Sequence, residues 1–148
     1  MSHQFHAAAR TGAILALALS AACELQPFAA TRTEHYREPV SGIGNIVCTS
    51  RNGGIELRGV PGADGIGVET VITARGATEA AAEDHMKMLR VGIERRDGGL
   101  AIEGIVPSDF DSDWSASFEF RITAPPELVA RLVSHNGGLS VDAMAGDL

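Results

Sequence analysis

Apolar and polar residues alternate with period two along most of this chain. In "GIELRGV", Ile55 and Leu57 fall on one face and Glu56 and Arg58 on the other. "GLAIEGI" sets Leu100 and Ile102 opposite Ala101 and Glu103, and "SFEFRI" sets Phe118, Phe120 and Ile122 opposite Glu119 and Arg121. "ELVARLV" groups Leu128, Ala130 and Leu132, and "GLSVDAM" groups Leu139, Val141 and Ala143. Period two places alternate side chains on opposite faces of a strand, so each segment predicts a strand with one buried face. Turn signals separate them: Ser41-Gly42, Asn52-Gly53-Gly54, Pro61-Gly62, Asp97-Gly98-Gly99, Pro125-Pro126 and Asn136-Gly137-Gly138. Short apolar runs between regular turns indicate an all-β domain.

One segment breaks this rhythm. "ATEAAAEDHMKMLR" has no β-branched residue after Thr78. Thr78 suits an N-cap, and Glu79, Glu83 and Asp84 lie where the helix dipole favours acids. The spacing predicts one helix of about three turns over residues 78–89. Its expected apolar stripe is Ala81, His85, Met88 and Leu89, with Glu83 and Lys87 paired at i,i+4.

The turn-and-strand phrase recurs. Asn52-Gly53-Gly54-Ile55-Glu56-Leu57, Asp97-Gly98-Gly99-Leu100-Ala101-Ile102 and Asn136-Gly137-Gly138-Leu139-Ser140-Val141 align. Asn or Asp before Gly tolerates positive φ, so the chain can reverse sharply before a strand. The outer two copies also share the preceding Ser, at Ser50 and Ser134, whereas the middle copy also fits an ordinary hairpin turn. Repeated units of this kind build solenoids. The expected fold class is therefore all-β, a β-solenoid or rolled β-sheet of short repeated strands with one inserted helix.

The N-terminus is of another kind. "MSHQFHAAAR" precedes an apolar run from Gly12 to Ala22. That run is about half the length needed to span a bilayer, and reads as a secretory signal over residues 1–22. The sequence Leu19-Ser20-Ala21-Ala22-Cys23 resembles the lipobox of bacterial lipoproteins, which implies lipidation of Cys23 and a membrane attachment through that lipid. Ser20 stands where the lipobox usually has an aliphatic residue; cleavage after Ala22 without a lipid, and an uncleaved anchor, are the alternatives. Glu24 after the Cys implies release to the outer membrane in lipoproteins of two-membrane bacteria. Residues 23–33 show no period and suggest a tether, with the domain running over 34–148.

Composition narrows the function. The 148 residues hold 12 Lys+Arg against 19 Asp+Glu, so no basic stripe is available for nucleic acid. Aromatics at 5% give little base-stacking surface. Neither a nucleophile elbow, a Walker loop, a dinucleotide fingerprint nor an HExxH motif is present, so no enzyme activity and no cofactor are expected. His35, His85 and His135 have no second ligand at a metal-binding spacing. In "SDFDSDWS", Asp109, Asp111 and Asp113 match positions 1, 3 and 5 of a calcium loop. Trp114 then replaces the required Gly and Phe120 the bidentate Glu, which favours a solvated acidic loop. Cys48 lies in the apolar run "NIVCTS" and reads as a buried small hydrophobe, with a Cys23–Cys48 disulfide as the alternative where no lipid is added.

The order of these features resembles the putative-adhesin family of bacterial cell-envelope proteins. The features are the early pair at Asn52–Leu57, a long strand at Ile66–Ala74, the helix, paired strands over Val91–Ile105, the "FEFRITAPPEL" segment, and the "SHNGGLSVDAMAGDL" rung. The resemblance covers residues 34–148 and implies a β-repeat scaffold or adhesion surface in the cell envelope, with a partner it does not identify. Family members run on through further rungs, so the chain is expected to be truncated at its C-terminus or to take its next strand from a partner. An envelope signalling or assembly module working by strand addition is the alternative role, and a polysaccharide-active β-helix enzyme a remoter one.

Overall fold

The structure is a computed structural model and describes residues 27–108 and 115–146. These residues form nine strands and one helix in two mixed sheets, neither closed into a barrel. The strands are β1 (Phe28–Pro39), β2 (Asn45–Asn52), β3 (Ile55–Gly59), β4 (Gly65–Gly76), β5 (Arg90–Arg96), β6 (Gly99–Ile105), β7 (Ala116–Ala124), β8 (Val129–Asn136) and β9 (Leu139–Asp142). Helix α1 spans Glu79–Met88. One sheet has the order β1-β4-β7-β3-β9 and the other β5-β6-β2-β8.

The two sheets share one core, and its geometry follows from four parallel pairings. Strand β2 lies parallel between β6 and β8, and β3 lies parallel between β7 and β9. Each of the pairs β6/β7, β2/β3 and β8/β9 therefore forms a rung with one strand in each sheet. Parallel registry stacks like positions in columns. Phe120, Ile55 and Leu139 form one column, and Ile122, Leu57 and Val141 the next. In the other sheet, Leu100, Ile46 and Ala130 align, followed by Ile102, Cys48 and Leu132. The period-two residues of the sequence are those that fill the columns. Phe118 and Phe120 stack with ring centroids 6.3 Å apart on the inner face of β7.

The stack does not follow chain order, because the rung that comes first in sequence sits in the middle. The antiparallel strands β4, beside β7, and β5, beside β6, flank it on one side. The Asp97-Gly98 phrase proves to be the β5–β6 hairpin turn, with φ of 49° and 74°, and not a rung corner.

Three expectations are corrected. The tether expected over residues 23–33 does not hold from Phe28 onward, since from there the chain pairs with β4 along the whole of β1. Its alternation was hidden because the half-buried positions include Arg32, Glu34 and Glu38. Helix α1 faces the sheet through Ala82, Met86 and Leu89, with Met88 44% exposed, so the stripe is turned by about one residue from that expected. With this rotation Lys87 pairs with Asp84 at 2.7 Å and not with Glu83. The Thr78 cap holds, its hydroxyl accepting from Ala81 N–H at 3.1 Å. Arg32 from β1 donates to the Leu89 carbonyl at 3.1 Å and satisfies the end of the helix.

The third correction concerns the last strand. Leu139 and Val141 share the inward columns but are 51% and 36% exposed, because among the described residues no further strand covers β9. The strand also ends at Asp142, and Ala143 turns away with φ 55°.

Thr70 on β4 is fully buried and its hydroxyl has no hydrogen-bond partner among the described residues. An unsatisfied buried hydroxyl is destabilising, whereas an apolar group of the same shape is not. Thr70→Val is expected to raise the unfolding free energy by about 1 kcal/mol. A urea midpoint equal to or below that of the wild type would show that the hydroxyl is satisfied.

Candidate functional site

The corners that join the two sheets are built by the Ser-x-Asn-Gly phrase, each side chain bonding to the rung beneath it. In the middle rung, Ser50 Oγ donates to Phe118 O at 3.0 Å and Asn52 Nδ2 donates to Ala116 O at 3.1 Å. In the last rung, Ser134 Oγ donates to Gly53 O at 3.1 Å and Asn136 Nδ2 donates to Asn52 Oδ1 at 2.9 Å. The asparagines and serines stand in register, Asn52 opposite Asn136 and Ser50 opposite Ser134.

The glycine completes the device. A Cβ at Gly53 would lie 2.2 Å from Phe118 O, and one at Gly137 would lie 2.2 Å from Gly53 O. Gly53 also has φ 119°, where side chains are strained. The close approach lets backbone bonds cross between corners: Phe120 N–H donates to Gly54 O, Ile55 N–H to Gly138 O and Gly53 N–H to Asn136 O, each at 3.0 Å. Gly54 and Gly138 follow in each phrase, and Gly138 has nothing within 4 Å of its Cβ direction. A depression of about 350 Å³ opens over these corners, bordered by Glu56, Arg121, Gly138, Leu139 and Ser140.

Beyond the last rung the device has no partner among the described residues. Strands β8 and β9 are the edge strands of their sheets. In a parallel ladder successive backbone groups alternate sides, so with Ile55 N–H on Gly138 O the Leu139 N–H points away from β3. The outer side of the corner thus offers the Leu139 N–H, the Gly137 carbonyl and Asn136 Oδ1, beside the exposed side chains of Leu139 and Val141.

The other candidate residues that the structure describes lie apart from this corner. Cys23, Asp109, Asp111 and Asp113 fall outside the described residues. No group of three or more His, Cys, Asp or Glu fit for a metal occurs among the residues described. His85 Nδ1–H donates to the Arg75 carbonyl at 3.0 Å. His35 lies 3.7 Å from Glu69, which also pairs with Arg121 at 2.6 Å, making a charged ladder on the outer face. Tyr36 donates to Glu34, and burial with that bond pushes its hydroxyl up to about 12. Cys48 is a fully buried free thiol, raised by burial from 9.0 to about 12. The sequence marked the repeated phrase, but only stacking reveals that its Ser, Asn and Gly act as a unit.

No family model matches the chain, and no curated protein sequence matches it. A solved structure similar to it is that of a putative cell adhesion protein from Clostridium sporogenes. Identity is 12%, the similarity covers 76% of this chain and 59% of that one, and the TM-score is 0.46. The chain thus spans less than two thirds of that neighbour's length.

Two outcomes follow from this geometry. Gly53→Ala is expected to lower stability by about 2 kcal/mol or more, through left-handed strain and the collision with Phe118 O. Gly138→Ala, which meets open space, is expected to change stability by less than about 0.5 kcal/mol. Equal denaturation midpoints for the two variants would refute the corner geometry.

The Cys48 thiol is expected to resist an aromatic disulfide reagent at pH 8 in the native state and to react once unfolded, since the thiolate is the nucleophile. Well below pH 9 the thiol is neutral in the native state and mostly neutral in the unfolded one, whose small thiolate fraction carries the reaction at pH 8. As pH rises from 9 toward about 12, the unfolded thiol ionises first, so its stabilising contribution declines across that window. Rapid native-state labelling at pH 8 would contradict this burial.

Proposed function

We propose that this is a non-enzymatic β-repeat protein of the cell envelope, exported and held at the membrane by a lipid on Cys23, where it acts as a scaffold or binding surface. The observation that carries this reading is the stack of strands paired in parallel in both sheets. Stacked rungs present long ordered faces of the kind that solenoid proteins use to bind. The same stacking supports reading the domain as a short rolled solenoid within the putative-adhesin type, its early rung inserted between two later ones. The apolar leader before Cys23 and the small residues Ser20, Ala21 and Ala22 support export and lipidation, with the outer membrane as destination.

A second reading is an envelope assembly or signalling module working by strand addition. The exposure of Leu139 and Val141 on edge strand β9 favours it. Proteins usually protect such an edge, and an extended partner segment can satisfy its backbone groups.

Expression in a two-membrane bacterium tests the anchor. The chain is expected in the membrane fraction after an alkaline wash, with its mature N-terminal peptide beginning at Cys23 and carrying acyl mass. Cys23→Ala is expected to move the protein out of that fraction. An unmodified mature N-terminus in the wild type would sink the lipid-anchored reading.

A further inference from the structure

We infer that the strand end carrying Phe28, Met88 and Ile105 is a lipid-facing surface, on which the domain stands against the bilayer with its strands directed away from it. The inference rests on the lipid-anchored reading above and adds which part of the domain meets the membrane.

The pairing registers bring these residues to one end of the strands. In the first sheet Phe28, the first residue of β1, pairs with Gly76, the last of β4, and Ala74 pairs with Ala116, the first of β7. In the second sheet Arg90, at the start of β5, pairs with Ile105, at the end of β6. Two contacts put both sets at the same end. Asn52, at the end of β2, donates to Ala116 O at 3.1 Å, and β2 runs parallel to β6. A Cβ at Gly104 would lie 2.4 Å from the Phe118 ring. Helix α1 crosses between the sheets here, from its cap at Thr78, just after β4, to Leu89, just before β5.

Phe28, Met88 and Ile105 are 44%, 44% and 43% exposed. Exposure alone does not choose this end. Val60, after the end of β3, and Val129, paired with Asn45 at the start of β2, lie at the opposite end and are 37% and 45% exposed. The distance to the anchor chooses. Cys23 precedes Phe28 by five residues, a span of at most about 18 Å in any conformation. Strand β1 then runs on for 12 residues, about 36 Å, toward the opposite end. A lipid on Cys23 thus keeps the Phe28 end beside the bilayer, and Val60 and Val129 reach it only if the domain lies flat.

Charge opposes lying flat. The chain holds 12 Lys+Arg against 19 Asp+Glu, so broad contact with anionic headgroups is repulsive. The Phe28 end is balanced among its described residues. Exposed Arg75, Lys87 and Arg90 match exposed Glu79, Glu83 and Asp84, with Lys87 and Asp84 2.7 Å apart. Arg and Lys stems lie along apolar surface with their charges in water, so this end can enter the headgroup boundary while its apolar side chains leave water.

The probe is the natively acylated chain, reconstituted into phosphatidylethanolamine–phosphatidylglycerol vesicles with and without a spin-labelled quencher lipid. With Cys23 blocked by its lipid and Cys48 buried, an added cysteine alone takes an environment-sensitive fluorophore. Dyes at Phe28→Cys and Met88→Cys are expected to be quenched at least threefold more than dyes at Val60→Cys and Val129→Cys. Ile105→Cys, in the other sheet, is expected to follow the first pair and reports independently of any disturbance to β1. Equal quenching at the two ends would overturn the proposal. So would a dye at His35→Cys, midway along β1, quenched as strongly as one at Phe28→Cys, the result for a domain lying flat. The mass of the Cys23 peptide from the same preparation separates the two failures. Acyl mass with no difference between the ends sinks the seating and leaves the anchor; an unmodified mature N-terminus removes the anchor and the seating with it.

Discussion

The close approach of one backbone corner to another is the constraint on which this molecule depends. Gly53 lies against Phe118 O, and Gly137 against Gly53 O, at distances where no side chain fits. Strands two residues beyond these corners can then meet in parallel registry in both sheets at once. Without that approach the columns of Phe120, Ile55 and Leu139 and of Leu100, Ile46 and Ala130 would not align. Serine and asparagine are suited to the same place because each carries a short donor that reaches a carbonyl which a corner would otherwise leave unpaired. Buried backbone groups need partners, and here the side chains of one rung supply them for the rung beneath.

This arrangement explains why the core is continuous although the chain order of its rungs is not. Strand β2 has β6 on one side and β8 on the other, and Ile46 and Cys48 are wholly buried between them. Burial of the middle rung thus depends on segments that arrive much later in sequence. Helix α1 bridges the two sheets in sequence, leading from β4 into β5. Its Met86 and the cap residue Leu89 join the core, and Arg32 ties its last carbonyl to β1.

Much of the β architecture was legible because period two survives wherever one face is buried. The runs at Ile55–Leu57, Leu100–Ile102 and Phe118–Ile122 are strands with the expected residues inside. Strand β1 was not legible, because its half-buried face holds Arg32, Glu34 and Glu38 in place of apolar residues. The helix was legible in extent but not in rotation, since alanines on several sides leave its face to be decided by contact with β1 and β4. For the corner phrase, repetition was visible in sequence. Sequence could not separate the two stacking copies from the Asp97 hairpin copy by the glycines alone; the preceding serine does so, and its meaning is a bond to a carbonyl 68 or 81 residues away. Leu139 and Val141 were read by their alternation as inward, and they point along inward columns, yet alternation carries no information on whether another layer lies above.

The two ends of the stack differ in chemistry. At one end β1 and β5 are edge strands that carry Arg32, Glu34, Glu38, Arg90, Glu94, Arg95 and Arg96. At the other, β9 exposes Leu139 and Val141. A filament of identical subunits would require the apolar end of one molecule to accept the charged end of the next, and charged edge strands oppose such pairing.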